Sequence, residues 1–132
     1  MARVALVLKH PSIFPGISDD YTRPDWTPQP GPLYLMPDNN GACISFESDS
    51  AVMWKVHAAI LPEYREQYGR QWAQQAADWM RANTPCRCLV VFIYGPGAKL
   101  VESIGFTHIG TIPRSKLRGG VLLDQKVYAK EI

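Results

Sequence analysis

Hydrophobic and polar positions follow two rhythms along the chain, and the switch between them falls near Pro62. Before it the apolar stretches are short. Ala2 to Leu8 (ARVALVL) is valine-rich and predicts a strand. Leu33 to Pro37 (LYLMP) and Ala42 to Ser48 (ACISFES) predict two more, joined by Asp38 to Gly41 (DNNG), where Asn and Gly tolerate positive φ. After the turn SDS, Ala51 to Leu61 (AVMWKVHAAIL) predicts a fourth strand, so this half reads as an antiparallel meander.

From Glu63 to Asn83 the period lengthens. Tyr64, Tyr68, Trp72, Ala76 and Met80 recur every four residues, with Ala73 and Trp79 beside them. That is one apolar stripe on a helix of about five to six turns, and such a stripe is first of all core packing. The residues NTP (Asn83 to Pro85) end it. Cys86 to Tyr94 (CRCLVVFIY) is a near-continuous apolar run, as expected of a strand buried on both faces. GPG breaks that run. Ala98 to Phe106 (AKLVESIGF) predicts a short helix capped by Gly105. THIGTIP and GVLLDQKVYAKE predict two last strands around a basic loop, Arg114 to Gly120 (RSKLRGG). The order β, irregular, β-β-β, α, β, α, β, β predicts an α/β (α+β) protein with one mixed, mostly antiparallel sheet, a long central helix and a short C-terminal helix.

Composition narrows the function classes. The 132 residues suit a single domain, 1–132, and 46% hydrophobic against 20% charged residues describes a globular chain. The net charge of +2, with its positive residues scattered, argues against nucleic acid as the main partner. No apolar run approaches the ~20 residues of a membrane span. The odd cysteine count (Cys43, Cys86, Cys88) and the absence of a signal peptide lead us to expect free thiols and a cytoplasmic location. Residues 10–32 carry six prolines and two glycines. That segment can hold no long regular element, only a short turn around Ser12 to Ile17 pinned by Ile13, Phe14, Tyr21 and Trp26.

Metal chemistry has little to stand on. Cys86 and Cys88 form C-x-C on one strand face without a second ligand pair, and His10, His57 and His108 have no ligand spacing. Asp19-Asp20 reads as a solvated turn or cap. Arg114 to Gly120 reads as a solvated hairpin tip, with contact to an acidic partner as the alternative.

Three pieces together resemble the GCN5-related N-acetyltransferase (GNAT) superfamily, over about Ala51 to Tyr128. VHAAILPEYR is similar to that family's fourth strand entering its pyrophosphate loop. CRCLVVFIYGPGAKLVESIGF is similar to its fifth strand and the helix ending in Gly-Phe. THIGTI with GVLLDQKVY is similar to its closing hairpin. HPSIFPGISDD and HAAILPEYR further resemble GNAT-like proteins encoded by bacteriophages.

The resemblance implies an acetyl-CoA-dependent acyltransferase of GNAT fold. It implies a splayed strand whose backbone at Ile60 and Leu61 pairs with the pantetheine arm. Arg65 to Arg70 would form the loop holding the pyrophosphate, with Gln67, Tyr68, Gly69 and the charges of Arg65 and Arg70. His57, on one strand face with Lys55 and Ala59, matches a strand where relatives often carry a base for the acceptor amine; a hydrogen-bonded structural histidine is the alternative. Tyr94 and GPG would border the acetyl group or serve only as a turn.

The family loop, Gln/Arg-x-x-Gly-x-Gly/Ala, is matched at Arg65. Tyr68 stands where its first glycine belongs, Arg70 at its last small residue, and Gly69 is one place out of step. Helix periodicity turns the Tyr68 ring toward the sheet, which leaves the cleft open. The Asn and the thiolate-protonating Tyr of many relatives correspond to Gly95 and Val101. Two functions follow. One is N-acetyl transfer from acetyl-CoA to an amine on a protein or small molecule. The other is a non-catalytic GNAT-fold module, for example of a bacteriophage particle, docking through residues 10–32. A homo-oligomer fits either.

Overall fold

The computed structural model describes residues 2–13 and 31–132. Most of the proline- and aromatic-rich segment, with Phe14, Asp19, Asp20, Tyr21 and Trp26, lies outside the described residues. Its first residues end in one tight turn, where Ile13 N–H donates to His10 O at 2.8 Å.

The first element is a helix, α1 (Ala2–Leu8), and not the expected strand. Its valines favour a strand by propensity. Burial decides otherwise: Val4, Val7 and Leu8 are covered at helical spacing while Leu6 is 63% exposed. Seven residues are too few to be helical alone, so α1 depends on what it packs against. Arg3 ties it down, its Nε donating to Asn40 Oδ1 at 2.6 Å and its Nη2 to Pro37 O at 2.7 Å.

Six strands form one sheet in the order β1-β2-β3-β4-β6-β5. They are β1 (Leu33–Leu35), β2 (Ala42–Ser48), β3 (Met53–Ile60), β4 (Cys88–Ile93), β5 (Thr107–Arg118) and β6 (Val121–Glu131). Every neighbouring pair is antiparallel except β3–β4. The β1–β2 turn uses positive φ at Asn40 (57°), and the Asn39 side chain accepts from Gly41 N–H at 2.9 Å. Gly41 serves there for room: a Cβ on it would stand 2.8 Å from Tyr64 and 2.9 Å from Trp72.

The segment read as a basic loop is largely strand. β5 runs through Arg118, and only Gly119 (φ 57°) and Gly120 (φ 77°) turn the chain, as a two-residue hairpin with both central residues at positive φ requires. Cys86 precedes β4 and is buried, while Cys88 begins it; all three thiols are free. Among the described residues no group of His, Cys, Asp or Glu could hold a metal, and no helix is long and apolar enough to cross a membrane.

The long helix α2 (Pro62–Asn83) covers one face of the sheet. Ala76, Ala77 and Met80 meet Ile44, Phe46, Leu89, Val91 and Tyr128. Each large apolar side chain buried there contributes about 1.5–3 kcal/mol. Helix α3 (Ala98–Ser103) adds Val101 and Phe106 to the same layer. It ends as expected at Gly105 (φ 95°): Phe106 N–H donates to Val101 O and Gly105 N–H to Glu102 O, at 3.0 and 3.1 Å. On the opposite face α1 and Ile13 cover Cys43 and Ala59. Burial also pushes the Cys43 thiol up to about 12, so it stays protonated.

Candidate functional site

The parallel pair β3–β4 begins in register and then parts. Met53, Trp54 and Lys55 pair with Cys88, Leu89 and Val90, and no later residue of β3 pairs with β4 although β3 continues to Ile60. The strands therefore diverge toward their C-terminal ends, as the resemblance led us to expect. The direction of the freed backbone follows from the other edge of β3. Leu61 N–H donates to Gly41 O, and Met53 O accepts from Asp49 N–H, so odd residues of β3 point their peptide groups at β2. Even residues point the other way, and Val52 O accordingly accepts from Cys88 N–H. Ala58 and Ile60 thus turn their peptide groups into the cleft.

This alternation refines the expected pantetheine site. Ile60 faces the cleft, but its C=O accepts Arg65 Nε at 2.8 Å. Leu61 does not face it: its N–H is engaged with Gly41 and its C=O with Tyr64 N–H at 3.0 Å. Ala58 supplies the peptide group that residue choice alone could not reveal.

The expected pyrophosphate loop is likewise altered. Arg65 to Arg70 is helix, because Pro62 opens α2 at a first-turn position where its missing N–H costs nothing. From the second turn on, N–H groups are spent on carbonyls four residues back. Gln67, Tyr68, Gly69 and Arg70 can therefore offer side chains or space, and not a cradle of N–H groups.

Each of these four takes a different place. Gly69 is buried, and a Cβ there would lie 3.6 Å from Ile60 Cδ1 and 3.9 Å from Leu100 Cδ1. It is the small residue where α2 packs against the end of β3 and against α3. Tyr68 turns aside: its ring stacks on Trp72 (centroids 5.0 Å, 12°) and lies 6.1 Å from Tyr64. Since Tyr64 and Trp72 both close over Gly41, this ladder leans on the start of β2. Gln67 and Arg70 line a groove of about 740 Å³ with Glu66, Gln71, Gln74 and, from the end of α3, Ser103 and Ile104. Lys130 borders it, its Nζ donating to Ile104 O at 2.6 Å and Gln74 Oε1 at 3.4 Å.

His57 stands two residues beyond the last β3–β4 pair, on the α1 face with Lys55 and Ala59 as expected. The crowding of the sheet around the ring, then the charges of Lys116 and Lys55, push its pKa down to about 4. The side chain is solvent-exposed by area, and water screens those charges. The imidazole is therefore neutral at pH 7. Gly95 is exposed and Val101 is a partly buried apolar side chain packed against the core, so neither side chain takes the polar roles of the corresponding residues in relatives.

Sequence comparison adds no relative: no protein-family profile matches the chain, and no curated protein is detectably similar to it. Solved structures do match. A protein provisionally named as a phosphinothricin N-acetyltransferase aligns at TM-score 0.62 and 27% identity, over 74% of this chain and 68% of its own. A GNAT-family acetyltransferase from Streptococcus pneumoniae aligns at 0.67 and 18%, over 77% and 68%. YncA from Salmonella typhimurium, provisionally named an acetyltransferase and solved with its cofactor acetyl-CoA, aligns at 0.61 and 19%, over 69% and 57%. The chain therefore has the GNAT fold and spans about two thirds of these neighbours' length or less. Where their organism is stated it is a bacterium, so the narrower resemblance to bacteriophage proteins gains no support.

Proposed function

We propose that this protein transfers an acetyl group from acetyl-CoA to an amine. The observation that carries the reading is the parting of β3 and β4 after Lys55 and Val90, with α2 starting at the mouth of the cleft. The residues present fit the cofactor. Ala58 and Ile60 face the cleft to receive the amide arm as an added strand. Gly69 keeps the passage beside Ile60 and Leu100 narrow but unfilled. Arg70 and Gln67 line a groove large enough for a nucleotide tail, where a guanidinium suits phosphate oxygens. Bound acetyl-CoA supplies a thioester carbonyl and a thiolate leaving group.

The chain's own work is then placement. The cleft orients the acceptor amine and limits water. The unpaired edge of β4 beyond Val90 offers backbone N–H groups for charge developing on the carbonyl oxygen. Neutral His57 takes the proton from the amine, directly or through a water. Its low pKa makes it a weak base, suited to an amine that is already acidified by attack. No tyrosine on α3 protonates the leaving group, and a thiolate departs without that help.

One observation favours a second reading. The helical state of Arg65 to Arg70 removes backbone donors from the phosphate corner, as a non-catalytic module would tolerate. Titration with acetyl-CoA by calorimetry, followed by release of free CoA thiol with a panel of amines, separates the two. The enzyme reading expects micromolar binding, weakened roughly tenfold by Arg70→Ala, since a charge-assisted contact contributes ~1.5–3 kcal/mol. No binding at millimolar cofactor establishes the module instead.

A further inference from the structure

Resting on that reading, we infer that Arg65 is a displaceable latch on the cleft. In the free protein its side chain holds the Ile60 carbonyl, which the amide arm of the cofactor takes over on docking. The pairing of backbone groups at the end of β3 carries the argument. Beyond the last β3–β4 pair, three peptide groups stand in three different states. Ala58 turns to the cleft with no β4 residue paired opposite it. Leu61 is locked by backbone on both sides: its N–H donates to Gly41 O at 2.9 Å and its C=O accepts Tyr64 N–H at 3.0 Å. Ile60 turns to the cleft as Ala58 does, but a side chain holds its carbonyl, Arg65 Nε at 2.8 Å.

A carbonyl at that place needs a partner. Ile60 is 4% exposed, and a buried backbone carbonyl left unpaired is costly. The turn into α2 does not supply one. Pro62 has no N–H, the N-cap Leu61 makes no side-chain bond, and Tyr64 N–H is spent on Leu61 O. Arg65, in the first turns of α2, supplies the donor instead.

A bond made by a side chain can be exchanged without refolding the backbone. Arg65 is exposed as a residue, and among the described residues no carboxylate forms an ion pair with it. Once released, the guanidinium returns to water and regains its rotamer freedom. The carbonyl stays in place, because Ile60 is packed: its Cδ1 lies 3.6 Å from where a Cβ on Gly69 would stand. An arm that pairs along β3 as an added strand addresses alternate residues, here Ala58 and Ile60. It finds the first open and the second latched. One of its amide N–H groups then replaces Arg65 Nε, and the carbonyl keeps its hydrogen bond throughout. Arg65 is thus a positioning residue that keeps the Ile60 peptide satisfied while the cleft is empty. The bond that must break on docking lowers affinity for the arm.

The test uses the full chain with S-acetyl-pantetheine, which carries the amide arm but no phosphate, so that loss of a positive charge does not itself weaken binding. Arg65→Met keeps most of the stem and removes the donor, and Arg65→Ala is the second variant. Both should melt slightly below the original and bind acetyl-pantetheine tighter, between about twofold and tenfold, the factor that one ordinary hydrogen bond represents. Damage to a mere brace would weaken binding. In the original chain the Arg65 Nε–H resonance, assigned by its loss in the variants, should exchange slowly with water and should lose that protection as acetyl-pantetheine is added. Weaker or unchanged binding of acetyl-pantetheine in the variants, or an Nε–H still protected in saturated protein, would overturn the latch and leave the proposed function standing. If the original chain binds neither acetyl-CoA nor acetyl-pantetheine, the proposed function falls, and the latch with it.

Discussion

Replacing Tyr68 by alanine probes the one residue whose size threatens the cleft. In the structure its ring lies flat on Trp72 at 5.0 Å and at a tilt to Tyr64 at 6.1 Å, on the side of α2 that leans on Gly41. Each aromatic pair contributes about 0.5–1.5 kcal/mol beyond its buried area. The ring is only half-buried, so the loss falls short of the ~3–5 kcal/mol of a fully buried aromatic truncation. We expect about 2 kcal/mol of destabilisation. With an unfolding entropy of roughly 2.1 cal/mol/K per residue, a chain of this length would melt about 7 °C lower. Alanine keeps the helix, so backbone propensity does not confuse the comparison. Thermal unfolding followed by circular dichroism reads the stability, and calorimetric titration reads CoA affinity, which should stay within about twofold of the original. A double-mutant cycle with Trp72→Ala should show coupling between the two rings. The reasoning is refuted if Tyr68→Ala melts as the original does and binds CoA several-fold tighter, because the ring would then fill the cofactor's space.

Other substitutions test neighbouring parts. Gly41→Ala places a methyl group against Tyr64 and Trp72 at under 3 Å and should destabilise by ~1–3 kcal/mol through overpacking, measured by urea unfolding. Gly69→Ala meets only ordinary contacts with Ile60 and Leu100 and should stabilise α2 by up to ~1 kcal/mol, whereas Gly69→Leu should abolish CoA binding in a chain that still folds. For His57 the folded-state pKa is depressed, so the unfolded chain binds the extra proton first. Its contribution to stability is complete above about pH 6.5 and is lost as pH falls toward about 4, and His57→Gln should flatten that part of the stability curve. In transfer assays the same shift means that no ionisation near pH 6.5 should appear in kcat/KM.

Much of the fold was legible because period two and period four are unmistakable over long stretches. The α2 stripe and the apolar run of β4 needed no tertiary knowledge. Ala2 to Leu8 failed because seven residues cannot display a helical period against valine's strand preference; only burial of Val4, Val7 and Leu8 reveals it. Arg114 to Arg118 failed because a bulged edge strand exposes polar residues as a loop does. At the candidate site, alternation placed His57 on the correct face. It could not show that Ala58 and Ile60, and not Leu61, face the cleft, since that depends on the hydrogen bond from Leu61 N–H to Gly41 O at the start of β2. The irregularity of β5 between Ile112 and Lys116, where Arg114 N–H donates to Asp124 Oδ1 ten residues away, likewise has no signal in the sequence.

The departures at the phosphate corner share one cause. Once Pro62 starts the helix directly after β3, the residues that would line a loop become a second helical turn. Small residues are then no longer needed at Tyr68 or Arg70, because the backbone N–H groups there are spent within the helix. Only Gly69 packs closely there, against the side chains of Ile60 and Leu100, and it alone remains glycine. Tyr68 is released to brace the helix on β2, and Arg65 to tie the helix start to Ile60. On the proposed reading, anion recognition at this corner falls to the helix dipole, which contributes about 0.3–1 kcal/mol, and to the Arg70 side chain in the groove. On the proposed reading, cofactor affinity therefore rests more on the β3 backbone edge and less on the pyrophosphate than a glycine-rich loop would allow.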